Sequence, residues 1–278
     1  FSADVKIATE DQERLAGKIT LGATTSSSTS ETPDRRIQAD IGGDITALLA
    51  PRYREFFGKD LRLTLDGLLA GNGAVEVSDF TLAAEAANLA GKVTLNAEKW
   101  PTLIDINGQL ANPNGTPVQL PLGGEVTMAR KVDLVIDYDA ADGEAIVARF
   151  DVAALSLADF AIEQSALVLD GILTGGLGRV GIFEGDVKFS ANGLVPRDKA
   201  LAEALGTNIT GRTHIVYAED KPLRISGLDL SGTDFGLTGD AVISGLNAGL
   251  KTELNAALKA RDLSRFSALA GRELDGQT

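Results

Sequence analysis

The residues most suggestive of cofactor chemistry are the glycines of Gly176-Leu-Gly-Arg-Val-Gly181, which fit the G-x-G-x-x-G pattern of dinucleotide-binding loops. That chemistry requires the loop to open a helix, because the helix N-terminus binds the pyrophosphate. Here the loop is followed by Ile182-Phe-Glu-Gly-Asp-Val-Lys-Phe189, whose alternation of apolar and polar residues predicts a strand. We therefore interpret the glycines as a turn between two strands.

A second group of interest is acidic and surrounds a predicted hairpin turn at Gly143. Its members are Asp137, Asp139, Asp142 and Glu144. Carboxylates around a glycine suggest calcium, but their spacing does not follow the EF-hand loop, which places ligands at fixed intervals. The favoured interpretation is a set of carboxylates on the solvent side of a hairpin.

Two further residues are single representatives of their type. His214 is the only histidine, so it cannot form a multi-histidine metal site, and no serine partner for a triad is evident. The alternation around it predicts a solvent-facing side chain. Trp100, the only tryptophan, precedes Pro101 and is interpreted as a packing residue.

No set of base, nucleophile or metal ligands remains. The sequence therefore predicts a protein that is not an enzyme, with no catalytic residues, metal ligands or cofactor.

The composition narrows the choice of partners. The chain has 278 residues and a net charge of −13, and nucleic-acid binding requires a basic surface. The same charge opposes adsorption to an anionic membrane surface. Aromatic residues make up only 5% and cysteine is absent, so there is no disulfide framework and little to stack on a base or sugar ring. Nucleic acid is therefore excluded as an expected partner.

The elements of the chain repeat at fixed spacings. Residues 44–58 predict a short amphipathic helix that Pro51 breaks or bends, and the residues after it alternate with period 2, as strands do. Leu15-Ala-Gly-Lys-Ile-Thr-Leu21 recurs 74 residues later as Leu89-Ala-Gly-Lys-Val-Thr-Leu95, and residues 75–91 recur 148 residues later. Self-similarity at a fixed spacing is typical of repeat architectures, whose units bury their apolar surfaces against their neighbours.

The predicted helices divide the chain into four parts. We expect residues 1–43 to end one repeat, 44–195 to form a second that opens with a helix, and 196–261 to form a third that opens likewise. Residues 262–278 would begin a further, truncated repeat. Because the sequence starts with Phe1 and not Met, we expect an internal piece of a longer protein.

The predicted fold class is mainly β: one elongated, curled antiparallel or mixed sheet with an apolar concave face and short helices at the repeat boundaries. Open sheets of more than about 10 strands usually curl or split, and this sequence predicts more. Clean alternation predicts one apolar and one solvated face. A one-residue shift in pairing would exchange the two faces. The residues predicted to line the apolar groove are Leu63, Leu65, Val75, Val77, Leu82, Val93, Leu95, Leu223, Ile225, Leu230 and Leu237.

The rhythm of the chain resembles a known family. The segment from Asp262 to Gly276 is a helix followed by Gly-Arg-x-Leu-x-Gly, and strands throughout follow Leu-x-Gly-x-Val-x-Leu. Both features resemble the AsmA-like, repeating β-groove family of the Gram-negative envelope, which includes the translocation and assembly module proteins. The resemblance covers essentially the whole chain as a rhythm and offers no catalytic motif to transfer.

What the resemblance implies is a non-enzymatic, lipid-binding conduit in the periplasm. The full-length protein would be anchored in the inner membrane and would carry phospholipid, held by its acyl chains, between the two membranes. It would also be linked to outer-membrane protein assembly beside the barrel TamA, through a part outside this segment.

Two alternatives stay open at this point. The first is a periplasmic scaffold whose sheet edge templates client strands of outer-membrane barrels by β-augmentation. The second is an extended cell-surface adhesin built as a β-solenoid, which would have short, regular coils and a filled core.

Overall fold

The computed structural model describes residues 1–9, 12–23, 33–122, 126–176, 178–245 and 251–278. In this part of the chain the protein is mainly β and forms one large antiparallel sheet, which confirms the predicted fold class at that level. The first nine strands are β1 Ser2–Thr9, β2 Gln12–Ala23, β3 Arg35–Gly43, β4 Leu61–Leu69, β5 Val75–Ala84, β6 Ala87–Leu95, β7 Pro101–Ala111, β8 Val118–Gln119 and β9 Met128–Ala129. The others are β10 Lys131–Asp139, β11 Ala145–Ser156, β12 Phe160–Gly176, β13 Arg179–Asn192, β14 Val195–Pro196, β15 Asn208–Ala218, β16 Leu223–Gly232, β17 Phe235–Ser244 and β18 Lys251–Ala260.

The sheet is an antiparallel meander, because nearly every long strand pairs with the next long strand in the chain. The two-residue strands β8, β9 and β14 interrupt this order and lie beside the ends of longer strands. The long strands on either side of them pair directly, β7 with β10 and β13 with β15. Among the described residues, β1 pairs only with β2 and β18 only with β17. The sheet is therefore open, with β1 and β18 at its two edges.

Alternating residue types explain why these segments form strands. In β10, Val132, Leu134 and Ile136 alternate with Asp133 and other outward-facing residues. β-branched residues pack well on a pleated surface, and the alternation sends apolar and polar side chains to opposite faces. The predicted hairpin turn at Gly143 joins β10 to β11, as the register of the two strands shows.

The helical segments are short. They comprise 3-10 turns at Thr46–Leu48 and Pro51–Tyr53, α1 at Arg54–Phe57, α2 at Lys199–Leu205, a 3-10 turn at Leu263–Phe266 and α3 at Ser267–Ala270. The helix predicted over residues 44–58 is thus divided, because proline cannot continue the hydrogen-bonding pattern of the turn before it. In the described parts of the chain, none of the helices has the length and apolar character needed to cross a membrane.

The 148-residue spacing has a structural counterpart. Gly58 ends α1 with φ 63° and ψ −165°, and Gly206 ends α2 with φ 69° and ψ −161°. The register of β5 shifts between Val77 and Phe80, and that of β16 shifts between Ile225 and Leu228, again 148 residues apart. Corresponding positions therefore carry the same bulge, which re-aims the strand after it.

Two clusters of buried residues lie at the same end of the strands. Phe56 of α1, 3% exposed, packs in a cluster with Ala86, Val118 and Val132, where β8 and β9 cover the strand ends. A second cluster contains Ile162, Ala191, Leu194 and Ile209, with Leu205 of α2 packed against it. The helical segments therefore cover strand ends and leave most of the two sheet faces without a second layer.

Candidate functional site

The strand register decides which predicted groove residues share a face. In β4 and β5, Leu63 lies opposite Leu82, and Val77 lies opposite Val93 of β6. Directly opposed residues of antiparallel strands lie on the same face. The rest of this set follows the same register, with Leu65 opposite Phe80 and Val75 opposite Leu95. We call this face of the sheet the Leu63 face, and the other face the Asp66 face.

The second set of predicted residues lies on the Leu63 face as well. Leu230 lies opposite Leu237, and Leu223 lies opposite Ile243. A single row of opposed residues connects the two sets across the sheet: Val77, Val93, Ile104, Tyr138, Ile146, Gly171, Gly185, Ile215 and Ile225. The register thus brings all the predicted lining residues to one face, although the two sets are far apart in the chain.

All of these predicted lining side chains are half-buried. Other large apolar residues on the Leu63 face are more exposed, including Leu69 and Leu167 at 38% and Leu254 at 60%. Exposure of this kind is expected when side chains are shielded mainly by their neighbours on the same sheet. Contiguous exposed apolar surface of a soluble protein often marks a binding site.

Several glycines on the Leu63 face lie unusually close to the neighbouring strand. A Cβ atom added to Gly91 would come within 2.9 Å of the Cα of Ile106, and one added to Gly17 within 2.6 Å of the Cα of Ile41. Real Cβ atoms rarely approach so closely. Glycine at these positions therefore lets the adjacent backbone lie against the Leu63 face.

On this face Trp100 contacts residues that are distant from it in the sequence. Its indole lies over Gly175 and Gly181 of β12 and β13, where an added Cβ at Gly181 would be 2.6 Å from the ring. The predicted packing role of Trp100 is in accord with this position. Its glycine partners could not be identified from sequence, because they lie about 80 residues away and carry no side-chain signal.

Tyr138 lies beside Trp100 and is 1% exposed. Its hydroxyl donates a hydrogen bond to the carbonyl oxygen of Leu173 at 3.1 Å. Burial raises the pKa of the Tyr138 phenol, and the nearby Trp100 side chain partly opposes that shift. The indole Nε1 of Trp100 is buried and makes no hydrogen bond of good geometry, even to this hydroxyl.

The motifs considered for cofactor and metal chemistry lie in hairpins. Gly176 ends β12, Gly178 lies in the turn and Gly181 lies in β13, so a strand follows the turn as predicted, whereas Leu177 lies outside the described residues. Around Gly143, Asp139 accepts the backbone N–H of Ala141 at 2.8 Å. Within the described ranges, no group of three or more acidic, histidine or cysteine side chains is arranged to hold a metal ion.

His214 lies on the Asp66 face between two carboxylates. Its Nδ1 is 2.9 Å from an oxygen of Asp186, and its Nε2 is 3.6 Å from an oxygen of Glu184. The sequence indicated the solvent-facing position but not these partners, which β13 contributes through its register with β15.

The Asp66 face carries cross-strand charge pairs. A surface depression of about 650 Å³ lies over β1–β4 and is lined by Lys18, Asp40 and Arg62, among other residues. Arg62 and Asp40 pair at 2.8 Å. Because Arg62 and Asp40 pair with each other, these two groups do not single the depression out as a ligand site.

Comparison with known proteins adds no relative: no family model, no curated protein and no solved structure matches this chain.

Proposed function

We propose that this chain is a segment of a lipid conduit of the TamB type, an AsmA-like β-groove protein of the periplasm. In this proposal the Leu63 face is the apolar concave lining of a groove, and phospholipid acyl chains lie against it. The whole protein would be held in the inner membrane and would meet the outer-membrane barrel TamA through parts outside this segment. Its role would be to carry phospholipid between the membranes and to support outer-membrane protein assembly.

The observation that carries the proposal is the continuity of the Leu63 face. The row from Val77 to Ile225 crosses nine strands, and every member is apolar, glycine or tyrosine. The opposite face is occupied by cross-strand ion pairs such as Arg62–Asp40 and Arg212–Asp229. A sheet with one apolar face and one charged face can offer an apolar path while its other side stays in water.

The close-approach glycines support a concave Leu63 face. At Gly17 and Gly91 the neighbouring backbone occupies the side to which a Cβ would point, which is the Leu63 face. Sheets curve at glycine kinks and bulges, and repeated bending in one sense curls a sheet around the face that is inside the bend. This arrangement favours a groove lined by the Leu63 face.

The dimensions suit an acyl chain. Strands of nine to twelve residues, at ~3.3 Å per residue, are ~30–40 Å long, whereas the hydrocarbon depth of one leaflet is about 15 Å. Burying a CH₂ group contributes about 0.8 kcal/mol, so partial burial of one tail offsets much of the cost of leaving a bilayer. The half-buried side chains of the Leu63 face could provide that contact.

The first test is extraction of the purified protein followed by mass spectrometry for phospholipid. Val77→Asp and Ile225→Asp should each reduce bound phospholipid at least tenfold, because a carboxylate on the lining opposes an apolar ligand. Val135→Asp is the matched control, since Val135 lies on the Asp66 face and is 44% exposed. Equal lipid content in all these variants would contradict a lining role for the Leu63 face.

A scaffold that templates client strands is the second candidate, and the sheet edges favour it. Ile7 of β1 is 44% exposed, and Leu254 and Leu258 of β18 are 60% and 37% exposed. Exposed strand edges can pair with an added strand. Proline at alternate positions of β18 should abolish client binding if the edge is the site. If the groove is the site, the same change should leave phospholipid content unaltered.

A further inference from the structure

Two hairpins that are not neighbours in the sheet touch at one end of the strands. The carboxylate of Glu98, between β6 and β7, accepts the backbone N–H of Gly178 at 3.0 Å. Trp100, next to it, lies over Gly175 and Gly181. In the sheet, β7, β10, β11 and β12 separate β6 from β13. The contact therefore spans those strands across the Leu63 face, and we call the residues Glu98, Trp100, Gly175, Gly178 and Gly181 the clasp.

The clasp is built for an indole ring. A Cβ atom at Gly176 would be 3.0 Å from the Cβ of Trp100, and one at Gly181 would be 2.6 Å from the ring. Any other residue at these positions would displace the ring. Tyr138, which is buried beside it, bonds to the backbone of β12 and fills the space next to the indole. Together these groups lie across the Leu63 face at this end of β10 and β11.

We propose that Trp100 is a displaceable plug. An acyl chain reaches the part of the Leu63 face over β10 and β11 only when the indole leaves Gly175 and Gly181, which we call its cradle. This inference rests on the proposed lipid-binding function and specifies where lipid entry is controlled. The ligand class is a phospholipid acyl chain, since the cradle is made of glycine backbone and the indole it holds is flat and apolar.

The indole of Trp100 is held by packing against glycine and not by a hydrogen bond of good geometry. The buried Nε1 of Trp100 lacks a hydrogen bond of good geometry, so leaving the cradle would let it find one in water. Arg179 donates to the carbonyl oxygen of Gly175 at 3.1 Å and pairs with Glu144 at 3.0 Å, but its side chain is 56% exposed, and such surface pairs contribute little. Lys99, between the two clasp residues of its turn, has a left-handed φ of 66°, which a non-glycine residue adopts at a cost. An acyl chain in the cradle would need no hydrogen-bond partner.

A reversible lock tests the plug directly. The chain has no cysteine, so Glu98→Cys with Gly178→Cys introduces the only thiols, which a short bismaleimide can join across the clasp. A photo-crosslinking amino acid is placed at Ile136, two residues from Tyr138, or at Ile225, which lies on β16 outside the clasped strands. The protein labelled at Ile136 and the protein labelled at Ile225 are each incubated with vesicles of phosphatidylethanolamine and phosphatidylglycerol.

The expected result is at least a tenfold loss of phospholipid labelling at Ile136 in the locked protein. Labelling at Ile225 should not change, and the same cysteine variant without the linker should label at both positions. Equal labelling at Ile136 with and without the lock would overturn the plug while leaving the conduit intact. No labelling at either position in the unlocked protein would overturn the proposed function and the plug together.

Trp100 also gives a fluorescence readout, because it is the only tryptophan. Vesicles with brominated acyl chains should quench its fluorescence in the unlocked protein and at least fivefold less in the locked one. Trp100→Ala should raise labelling at Ile136 at least twofold and leave Ile225 unchanged. Unaltered labelling at Ile136 in a folded Trp100→Ala protein would also contradict the plug.

Discussion

Residues 61–111 and 208–260 build two four-strand blocks, β4–β7 and β15–β18, which can be compared position by position. Both have the bulge after their second strand begins, and both follow a helix that ends at a left-handed glycine. They differ in what surrounds them. The first block continues through β10, whereas the last strand of the second block, β18, is an edge in the described part of the chain.

The charges on the Asp66 face are exchanged between the blocks. In the first block Asp66 accepts hydrogen bonds from Arg36 at 2.6 Å and Gln38 at 2.8 Å. The residue 148 positions later is His214, and the residues corresponding to Arg36 and Gln38 are Glu184 and Asp186. In the first block the central side chain is the anion Asp66, which faces the cation Arg36. In the second block the central side chain is His214, which is a cation when protonated and faces two anions. The repeat preserves complementarity at this position, not residue type.

The difference between the blocks teaches that the repeat specifies backbone geometry more tightly than packing. Phe56 and Ala204 occupy corresponding helical positions and are 3% and 1% exposed. Phe56 has room because β8 and β9 extend the cluster around it, whereas α2 contacts the segment at residues 263–266, where Arg265 donates to the carbonyl of Glu203 at 2.9 Å. Different neighbours therefore accept different side-chain volumes on the same backbone plan.

Phe56→Ala should give the largest effect on stability, about 3–5 kcal/mol, because it removes a buried aromatic ring and leaves a cavity. The free energy of unfolding from urea denaturation measures it. The reciprocal change, Ala204→Phe, should destabilise by about 1–3 kcal/mol through overpacking. If Ala204→Phe were neutral, the two helical sites would be more alike than their neighbours suggest.

The corresponding glycines Gly91 and Gly239 should respond alike. An added Cβ at either would come within 2.9 Å of the partner strand, at Ile106 or Ala256 respectively, so alanine should destabilise each block by about 1–3 kcal/mol. Gly22→Ala is the control, because an added Cβ there meets nothing within 4 Å. We expect it to be neutral or slightly stabilising in the same thermal unfolding assay. Tolerance of alanine at Gly91 would argue against a bend at that position.

The outer strands of the blocks should respond differently to truncation. Ile104 and Leu254 occupy equivalent places in β7 and β18. Ile104 lies two residues before Ile106, which is opposite Gly91, and Leu254 lies two residues before Ala256, which is opposite Gly239. Ile104 is half-buried between β6 and β10, whereas Leu254 is 60% exposed. Alanine should cost about 1–2 kcal/mol at Ile104 and less than about 0.5 kcal/mol at Leu254. Equal costs in chemical denaturation would indicate that another strand covers β18 in solution.

The exchanged charges should give the smallest effect. Asp66→His would place an imidazole beside Arg36 and should slightly lower the denaturation midpoint, whereas adding Arg36→Glu and Gln38→Asp, which copies the second block, should restore it.

The Arg36 guanidinium, and then the Gln38 amide, hold the pKa of Asp66 below its ordinary value. The resulting stabilisation is therefore present above pH ~3.9 and is lost as the pH falls through the lowered pKa. A pH-independent difference between the parent and Asp66→Asn below pH 5 would contradict this.

Much of the local structure could be predicted from alternation and turn residues. The alternation predicted the strands and which residues within each strand share a face, and glycine in the left-handed region fixed turns such as that at Gly143. The helix over residues 44–58 and its interruption at Pro51 were both predicted, because proline cannot continue a helix. The limits of strands near Leu246 lie outside the described residues.

By itself, the sequence determined the period-2 pattern, the 148-residue repeat and the apolar identity of Val77 and Ile225, because these depend on residue types and spacing alone. Only the tertiary structure decided that Val77 and Ile225 lie on one row, since that depends on eight consecutive strand registers and on where each bulge falls. It also decided that Trp100 lies over Gly175. Glycine has no side chain with which to signal a distant partner, so that contact depends on how the intervening strands are arranged and not on any local pattern.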